Sequence, residues 1–244
     1  MCYNIAFMEK RAQKYAERYK DVIPTGWNPD VLPDELPQYF FVSGFTHPLL
    51  PIVRHDGICM AQWGLIPYWV KNAENAREIQ SKTLNAMGET VFEKPSFRKS
   101  IASQRCILGV SGFYEWRTFQ NKKYPYLIRA SEQALFSLAC IFDTWCDQST
   151  GEISTTFSIL TTPANTLLEK IHNIKKRMPL ILGREDEGSW LDPQLKPEAI
   201  RQLIKPFGNQ GLLAHTISNE ANKASTNRNK ADIMRPIVYP ELTD

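Results

Sequence analysis

The chain has 244 residues, of which 43% are hydrophobic and 11% are aromatic. This composition can fill a sizeable core, and the length suits one domain or at most two. The 29 basic and 26 acidic residues leave a net charge of +3. Net charge alone therefore predicts neither a nucleic acid nor a membrane as the partner, and any basic binding surface must be local.

The cysteines indicate neither a disulfide framework nor a metal site. They are five in number, at positions 2, 59, 106, 140 and 146, and no two have Cys-x-x-Cys spacing. Free thiols are typical of a reducing compartment. The residues after Phe7 are strongly charged, and neither a signal peptide nor an apolar stretch of membrane-spanning length occurs. We expect a cytoplasmic protein without a metal, an organic cofactor or membrane contact.

Strands dominate the elements predicted along the chain. Apolar runs and alternation predict strands at 3–7, 39–43, 49–54, 58–66, 105–116, 124–130, 134–142, 155–161 and 212–218. Helices are predicted at 9–20, 163–170 and 195–205, with a helical or irregular segment at 71–82; Thr162 would cap the helix that starts at Pro163. We predict the α+β class, as a single domain over residues 1–244 with a curved, largely antiparallel, barrel-like sheet and peripheral helices.

Cys2 directly follows the initiator methionine. Removal of Met1 would place a free α-amine and a thiol on one residue, and such a 1,2-aminothiol condenses with an aldehyde to a five-membered thiazolidine. Alternatively, the amine could act as a base for its own thiol, as in N-terminal nucleophile hydrolases. The simplest alternative is a small apolar residue that enters the first strand.

Three polar residues are further candidates for chemistry. Glu115 ends an apolar strand among aromatic residues, where desolvation would raise its pKa into the range of a general acid or base; the alternative is an exposed strand end. His172 follows a predicted helix and precedes a basic run, which suits acid–base chemistry near an anion or a contact with the helix dipole. Asn85 interrupts a strand-like run, and it either orients a substrate hydroxyl or forms an ordinary turn.

Aromatic and basic residues offer a possible nucleic-acid surface. Trp63 and Trp69 flank a proline bend, where they could stack on bases, wedge against a duplex end or pack in the core. Basic residues cluster at 98–105, 175–177 and 223–235. These clusters could neutralise phosphates if the fold brings them to one face, although a solvated surface is their default interpretation.

Six short motifs occur in a fixed order between residue 2 and about residue 182. They are Met1-Cys2, Trp63-Gly64-Leu65-Ile66-Pro67, Asn85-Ala86 with Glu89-Thr90, Arg105-Cys106 with Gly112-Phe113-Tyr114-Glu115-Trp116, Thr161 with Ala164-Asn165, and Ile171-His172 with Arg177-Met178-Pro179. In this order they resemble the SRAP family of SOS-response-associated peptidase-like proteins. Each motif is weak by itself, but the ordered set is specific.

The resemblance implies a function and a site. It implies that the protein senses abasic sites in single-stranded DNA and cross-links to them through a thiazolidine, with lyase-type chemistry and an autocatalytic, peptidase-like exposure of Cys2. The residues that match the family's active site are Cys2, Asn85, Glu115 and His172. The expected DNA contacts are Asn4, Trp63, Trp69, Arg98, Thr161, Lys176 and Arg177. We further expect a monomer without a cofactor that associates with the nucleoid when bound to DNA and works with the replication machinery.

Three features depart from the family pattern. Tyr3-Asn4 stands where many members have Gly-Arg, and Met87 stands where an arginine often follows Asn85-Ala86. The spacing between His172 and Arg177 is also longer than usual. These departures affect the expected phosphate contacts more than the cross-linking chemistry.

Three rival functions stay open at this point. An N-terminal-cysteine amidohydrolase also begins with Met-Cys, although its further glutamine-binding signatures are not found in the sequence. A non-catalytic module for single-stranded DNA could use the same basic clusters. A protease acting on other proteins has no substrate-pocket signal in the sequence.

Overall fold

Strands make up most of the regular structure of this computed structural model, which describes residues 2–242. The strands are β1 (Asn4–Phe7), β2 (Tyr39–Ser43), β3 (Leu49–Arg54), β4 (Gly57–Trp63), β5 (Asn85–Met87), β6 (Arg105–Val110), β7 (Gly112–Phe119), β8 (Lys122–Ala130), β9 (Phe136–Cys146), β10 (Ile153–Pro163), β11 (Arg177–Pro179), β12 (Ile181–Leu182) and β13 (Leu212–Thr216). The α-helices are α1 (Ala12–Arg18), α2 (Ala73–Lys82), α3 (Arg98–Ser103), α4 (Thr166–Ile171), α5 (Arg184–Leu191) and α6 (Pro197–Leu203).

Five strands close into a ring. β3 pairs with β4 and β6, β9 pairs with β6 and β10, and β10 returns to β4. Every contact in this ring is antiparallel except the short parallel one between β10 and β4. Closure leaves the ring without a free edge, and its strands carry fully buried apolar side chains such as Ile52, Ile107 and Ile159. The predicted α+β class with a barrel-like, largely antiparallel sheet is confirmed.

A second sheet carries the start of the chain. Its strand order is β13-β8-β7-β1-β2, and β1 lies antiparallel to both of its neighbours. Ile5 lies opposite Phe113 and Ala6 lies opposite Gly112. Continuing this register towards the N-terminus brings Tyr3 opposite Glu115, so the pairing carries Cys2 to the middle of β7.

Most predicted elements differ from the observed ones by a few residues at their ends, and two differ for a clear physical reason. The predicted strand 105–116 is two strands, because Ser111 breaks the run where its backbone N–H bonds to Ala6 and its hydroxyl accepts the N–H of Met8. The predicted helix start at Thr162 and Pro163 is wrong, because β10 continues through Pro163. Helix α4 instead begins after Asn165, whose side chain accepts the N–H of Leu168 at 2.9 Å.

Two observed helices, α3 and α5, are not predicted from the sequence. α3 and α5 are short and carry mostly polar residues, so their apolar periodicity is weak. α5 nevertheless covers the barrel, since Trp190 is fully buried and donates its indole N–H to the carbonyl of Cys106 in β6. In the part of the chain that the structure describes, no helix is long and apolar enough to cross a membrane.

A buried ion pair joins α1 to α5. Arg18 binds Glu187 through two hydrogen bonds of 2.6 and 3.0 Å, and Ser137 donates a third at 2.6 Å to the same carboxylate. The side chain of Glu187 is 3% exposed and that of Arg18 is 13% exposed. Charges buried to this extent are tolerated only when they are paired.

We expect Glu187→Gln to lower the free energy of unfolding by about 3 kcal/mol, because it leaves the Arg18 charge buried without its counter-ion. Urea unfolding followed by circular dichroism would measure this loss. Glu78→Gln is the matched control, since Glu78 forms an exposed pair with Lys82 and its loss should hardly move the midpoint. Equal shifts for the two variants would contradict the prediction.

Candidate active site

Asn85 fixes the backbone of Cys2. The parallel pairing of β5 with β10 holds Asn85 opposite Ile159, and its side-chain amide donates to the carbonyl of Cys2 at 2.9 Å. The Oδ1 atom of Asn85 is buried and has no hydrogen-bond partner among residues 2–242. A buried acceptor of this kind calls for a donor, so Oδ1 is suited to hold an amine or a hydroxyl group beside Cys2.

Glu115 is a buried carboxyl group on β7. Its side chain is 4% exposed, and burial raises its pKa to about 8 because the charged form is poorly solvated there. At neutral pH this carboxyl group is therefore mostly protonated. It can donate a proton, which an exposed glutamate cannot do at that pH.

His172 ends α4 and faces Glu115. Its Nδ1 atom lies 2.9 Å from the carbonyl oxygen of Arg177, which can only accept, so Nδ1 carries the proton and Nε2 is the basic nitrogen. Burial, together with the positive charges of Lys175 and Arg177, lowers the pKa of His172 to about 4. The imidazole is therefore neutral at pH 7.

Glu115 and His172 form a neutral pair rather than a salt bridge. Nδ1 of His172 is 3.6 Å from Oε2 of Glu115, a distance that would suit an ion pair. Both pKa shifts oppose ionisation, however, since burial raises that of the acid and lowers that of the base. A protonated acid and an unprotonated base side by side can move protons in both directions during one reaction.

The thiol of Cys2 is protonated in this environment. Cys2 is fully buried, and burial raises its pKa far above the ordinary value; Glu115 acts in the same direction once it is ionised. The thiol donates a weak 3.9 Å hydrogen bond to the carbonyl of Asn4. Because the thiolate is the nucleophilic form, the thiol is a poor first attacker here.

An open groove of about 670 Å³ borders this group of residues. Its walls carry three basic side chains, Lys123, Lys175 and Arg228, together with three aromatic ones, Tyr3, Phe45 and Trp116. Glu115 and His172 lie in its wall as well. A second cleft, of about 550 Å³, lies between Trp69 and α2 and borders none of the four candidate residues. The groove is therefore the better candidate for a substrate site.

A family model of the SOS response associated peptidase (SRAP) domain matches residues 1–224. The chain belongs to the SRAP family. The predicted family is thus confirmed. Among its relatives, the abasic site processing protein YoqW of Bacillus subtilis is 38% identical over 168 residues, which are 68% of this chain and 71% of YoqW. The abasic site processing protein HMCES of Mus musculus is 31% identical over 195 residues, and the match covers 68% of this chain and 53% of HMCES.

Solved structures agree with the SRAP fold. A protein from Bacteroides thetaiotaomicron superposes with a TM-score of 0.87 at 38% identity, over 97% of this chain and all (100%) of that one. A protein from Bordetella bronchiseptica superposes with a TM-score of 0.69 at 20% identity, over 89% of this chain and 100% of that one. The second likeness shows the fold alone.

The four candidate catalytic residues of this SRAP protein come together. Asn85 is hydrogen-bonded to Cys2, and His172 lies close to Glu115. The two pairs are neighbours, since the charge of ionised Glu115 raises the pKa of the Cys2 thiol. The long segment after His172 does not displace it, because Asn173 bonds to both backbone groups of Thr118 on β7. Within residues 2–242, no three His, Cys, Asp or Glu side chains are grouped so that they could hold a metal ion.

Two expected DNA contacts are wrong. Trp63 is fully buried, stacks on Phe157 and donates its indole N–H to the carbonyl of Leu84 at 2.8 Å. Thr161 is also fully buried, and its hydroxyl accepts a 2.9 Å hydrogen bond from Arg177. Neither side chain has exposed surface that DNA could contact in this fold.

The other expected DNA contacts are spread over the surface. Asn4 lines the groove. Arg177 is engaged by both oxygens of Glu89, which offsets its charge. Arg98, Lys176 and Trp69 are exposed but lie outside the groove lining, and Trp69 borders the separate cleft beside α2. Their contacts with DNA stay predictions.

Several groove residues were missed by sequence reasoning. Lys123 lies at the start of β8, and Phe45 lies in the turn between β2 and β3, where polar residues are usual. Asn222 and Arg228 come from the end of the chain: Asn222 accepts the indole N–H of Trp116, and the Arg228 guanidinium lies 4.5 Å from the ring of Phe41. The one sequence signal for these residues was the basic cluster at 223–235.

We expect the stability of wild-type protein to fall relative to Glu115→Gln as pH rises. In the unfolded chain Glu115 titrates near 4.3, and in the folded protein near 8, so the folded state binds the extra proton between these values. Wild type should lose about 3 kcal/mol relative to the variant between pH 5 and pH 8. Urea unfolding at a series of pH values measures the difference, and the exposed Glu132→Gln should track wild type. Parallel curves for wild type and Glu115→Gln would show that the carboxyl group is not buried as described.

Proposed function

We propose that this protein recognises abasic sites in single-stranded DNA and, once Met1 is removed, forms a thiazolidine cross-link to them through Cys2. The observation that carries the proposal is the meeting of Cys2, Asn85, Glu115 and His172 beside a basic, aromatic groove. Relatives named abasic site processing proteins support it. Met1 itself lies outside the described residues.

The first step belongs to the amine of mature Cys2. An abasic deoxyribose is a closed hemiacetal in equilibrium with an open aldehyde. An α-amine has a pKa of roughly 7.7–8.0, so part of it is neutral near pH 7 and can attack C1′. Loss of water gives an imine. The Cys2 sulfur then bonds to the same carbon while the thiol proton passes to the nitrogen, which closes the ring.

The buried thiol favours this order of events. Because burial keeps the Cys2 sulfur protonated, it attacks late, when the imine carbon is already held next to it. The same property argues against an amidohydrolase, whose thiolate must attack first. The chain therefore fits amine-first chemistry better than hydrolysis by a free thiolate.

The neighbouring residues have separate tasks. Protonated Glu115 donates to the ring oxygen as the sugar opens and to the hydroxyl that leaves as water. Nε2 of His172 accepts the proton released by the attacking amine, and the same pair runs in reverse when the cross-link is released. Oδ1 of Asn85 holds the amine or a sugar hydroxyl in line, while its Nδ2 group holds the Cys2 carbonyl.

The remaining expectations form part of the proposal. We assign removal of Met1 to an autocatalytic, peptidase-like step at the same group. The protein would act as a monomer in the cytoplasm, at the nucleoid when DNA is bound, and in contact with the replication machinery. Lys123, Lys175 and Arg228 would neutralise phosphates along the groove, in place of the arginines that the sequence lacks at Asn4 and Met87.

We expect processed wild-type protein to form a heat-stable covalent complex with single-stranded DNA that contains one abasic site. A denaturing gel would display it as a shifted band, and Cys2→Ala should abolish the band. Cys2→Ser should give only a heat-labile imine that borohydride traps, because an oxygen in place of sulfur does not form the thiazolidine.

Cys146→Ala is the matched control, since Cys146 is an exposed free thiol away from the site and its loss should leave the band unchanged. Absence of a band with processed wild type would defeat the cross-linking proposal. A complex that appears only on native gels would identify a non-catalytic binding module.

We expect Lys175→Ala to weaken binding to single-stranded DNA and to flatten its salt dependence. Each neutralised phosphate on a single strand contributes a slope of about 0.7 in a plot of log affinity against log salt. Fluorescence anisotropy at several salt concentrations measures this slope. Lys205→Ala, beyond α6 and outside the groove lining, is the control and should match wild type. An unchanged slope for Lys175→Ala would remove that residue from the DNA path.

A further inference from the structure

An aromatic pair, one ring half-buried and the other exposed, lies beside the buried Cys2. Tyr3 follows Cys2, and its ring centroid lies 5.1 Å from that of Phe45, with 34° between the ring planes. Both residues line the groove, and Phe45 is 57% exposed. More than half of the Phe45 side chain is therefore open to the solvent.

The turn that carries Phe45 is tied to β1 and to itself. The backbone N–H of Gly44 donates to the carbonyl of Tyr3 at 2.8 Å, so the two aromatic residues are joined through the main chain. The hydroxyl of Thr46 donates to the carbonyl of Ser43 at 2.8 Å, and the N–H of His47 donates to that of Gly44 at 2.9 Å. The turn therefore presents Phe45 in a fixed position.

The buried Trp63 supports this turn from below. A Cβ atom on Gly44 would lie 3.0 Å from the indole ring, so the backbone of the turn rests directly on Trp63. The ring is in turn fixed by its hydrogen bond to Leu84. Trp63 thus affects the groove indirectly, because it supports the turn that positions Phe45.

We propose that Tyr3 and Phe45 form a stacking platform for the nucleobase next to the abasic nucleotide. The proposal rests on the proposed function, because a sugar held at Cys2 brings its neighbouring nucleotide over the adjacent residue, Tyr3. Aromatic rings stack on any base, since every base has a π-face. Lys175 and Arg228 in the same groove suit the phosphates of a DNA strand better than an apolar protein segment.

The platform gives the protein a way to recognise a missing base by its neighbour. An abasic strand lacks one base in its own stack, so the flanking base loses a stacking partner and can accept a protein ring instead. The platform would tolerate all four bases and would favour purines, whose larger rings cover both side chains.

A double-mutant cycle between the protein and the DNA tests this platform. The substrates are single strands with one abasic site whose 5′ or 3′ neighbour is either adenine or a tetrahydrofuran spacer, which has no base and no aldehyde. Single-turnover cross-linking is followed with wild type and Phe45→Ala. With adenine present, Phe45→Ala should slow the reaction between about 5-fold and 100-fold, the range expected for loss of one base–aromatic stack.

The diagnostic result is the loss of this difference. When the neighbour on the platform side is the spacer, wild type and Phe45→Ala should react at the same rate, while Phe45→Tyr should behave as wild type on every substrate. Leu213→Ala is the control, because Leu213 is 59% exposed on β13, at the opposite edge of the sheet from β2. It should leave all rates unchanged.

The inference and the proposed function fail in different ways. If Phe45→Ala slows the reaction equally with and without the flanking base on both sides, the ring does not stack on that base and the platform is overturned. If wild type forms no cross-link, the proposed chemistry fails, and equilibrium binding to strands with a tetrahydrofuran lesion decides the platform instead. In that experiment, the platform is supported if the flanking base strengthens binding by wild type but not by Phe45→Ala. The platform is overturned if the flanking base changes the affinity of both proteins equally.

Discussion

The pairing of β1 with β7 is the constraint on which the site depends. Ile5 lies opposite Phe113, and this register carries Cys2 and Tyr3 to the middle of β7, where Glu115 stands. A slip by one residue would turn every side chain of β1 to the other face of the sheet. The buried residues Ile5 and Phe7 prevent such a slip, so core packing sets the position of Cys2.

Burial sets the protonation states of the groups in the site. The same desolvation keeps the Cys2 thiol and the Glu115 carboxyl group protonated and His172 neutral. Three groups that would differ in charge in water are thus held uncharged next to each other. In the proposed reaction, these are the places where an amine, a sugar oxygen and a sulfur would exchange protons.

The fold and the four candidate catalytic residues could be predicted from the sequence more completely than the residues that line the groove. Apolar runs predicted nearly every long strand, and the ordered motifs located Cys2, Asn85, Glu115 and His172. Trp63 was misjudged because a motif tryptophan looks the same whether it meets DNA or the core. Arg228 could not be placed, because a residue more than a hundred positions beyond Trp116 reaches the same groove through contacts that no local pattern encodes. The start of α4 was misplaced because Thr162-Pro163 resembles a helix start, whereas pairing with β11 keeps Pro163 in a strand.

The central position of β1 has a mechanical consequence. DNA joined to Cys2 would transmit any pull from its strand along the axis of β1, which is hydrogen-bonded to β2 on one side and β7 on the other. Force in this direction loads the hydrogen bonds of both neighbours at once, in shear, instead of peeling them apart one after another. The hydrogen bond from the Asn85 side-chain amide to the Cys2 carbonyl also ties the point of attachment to β5. A tether fixed in this way is suited to stay folded while other proteins move along the same strand.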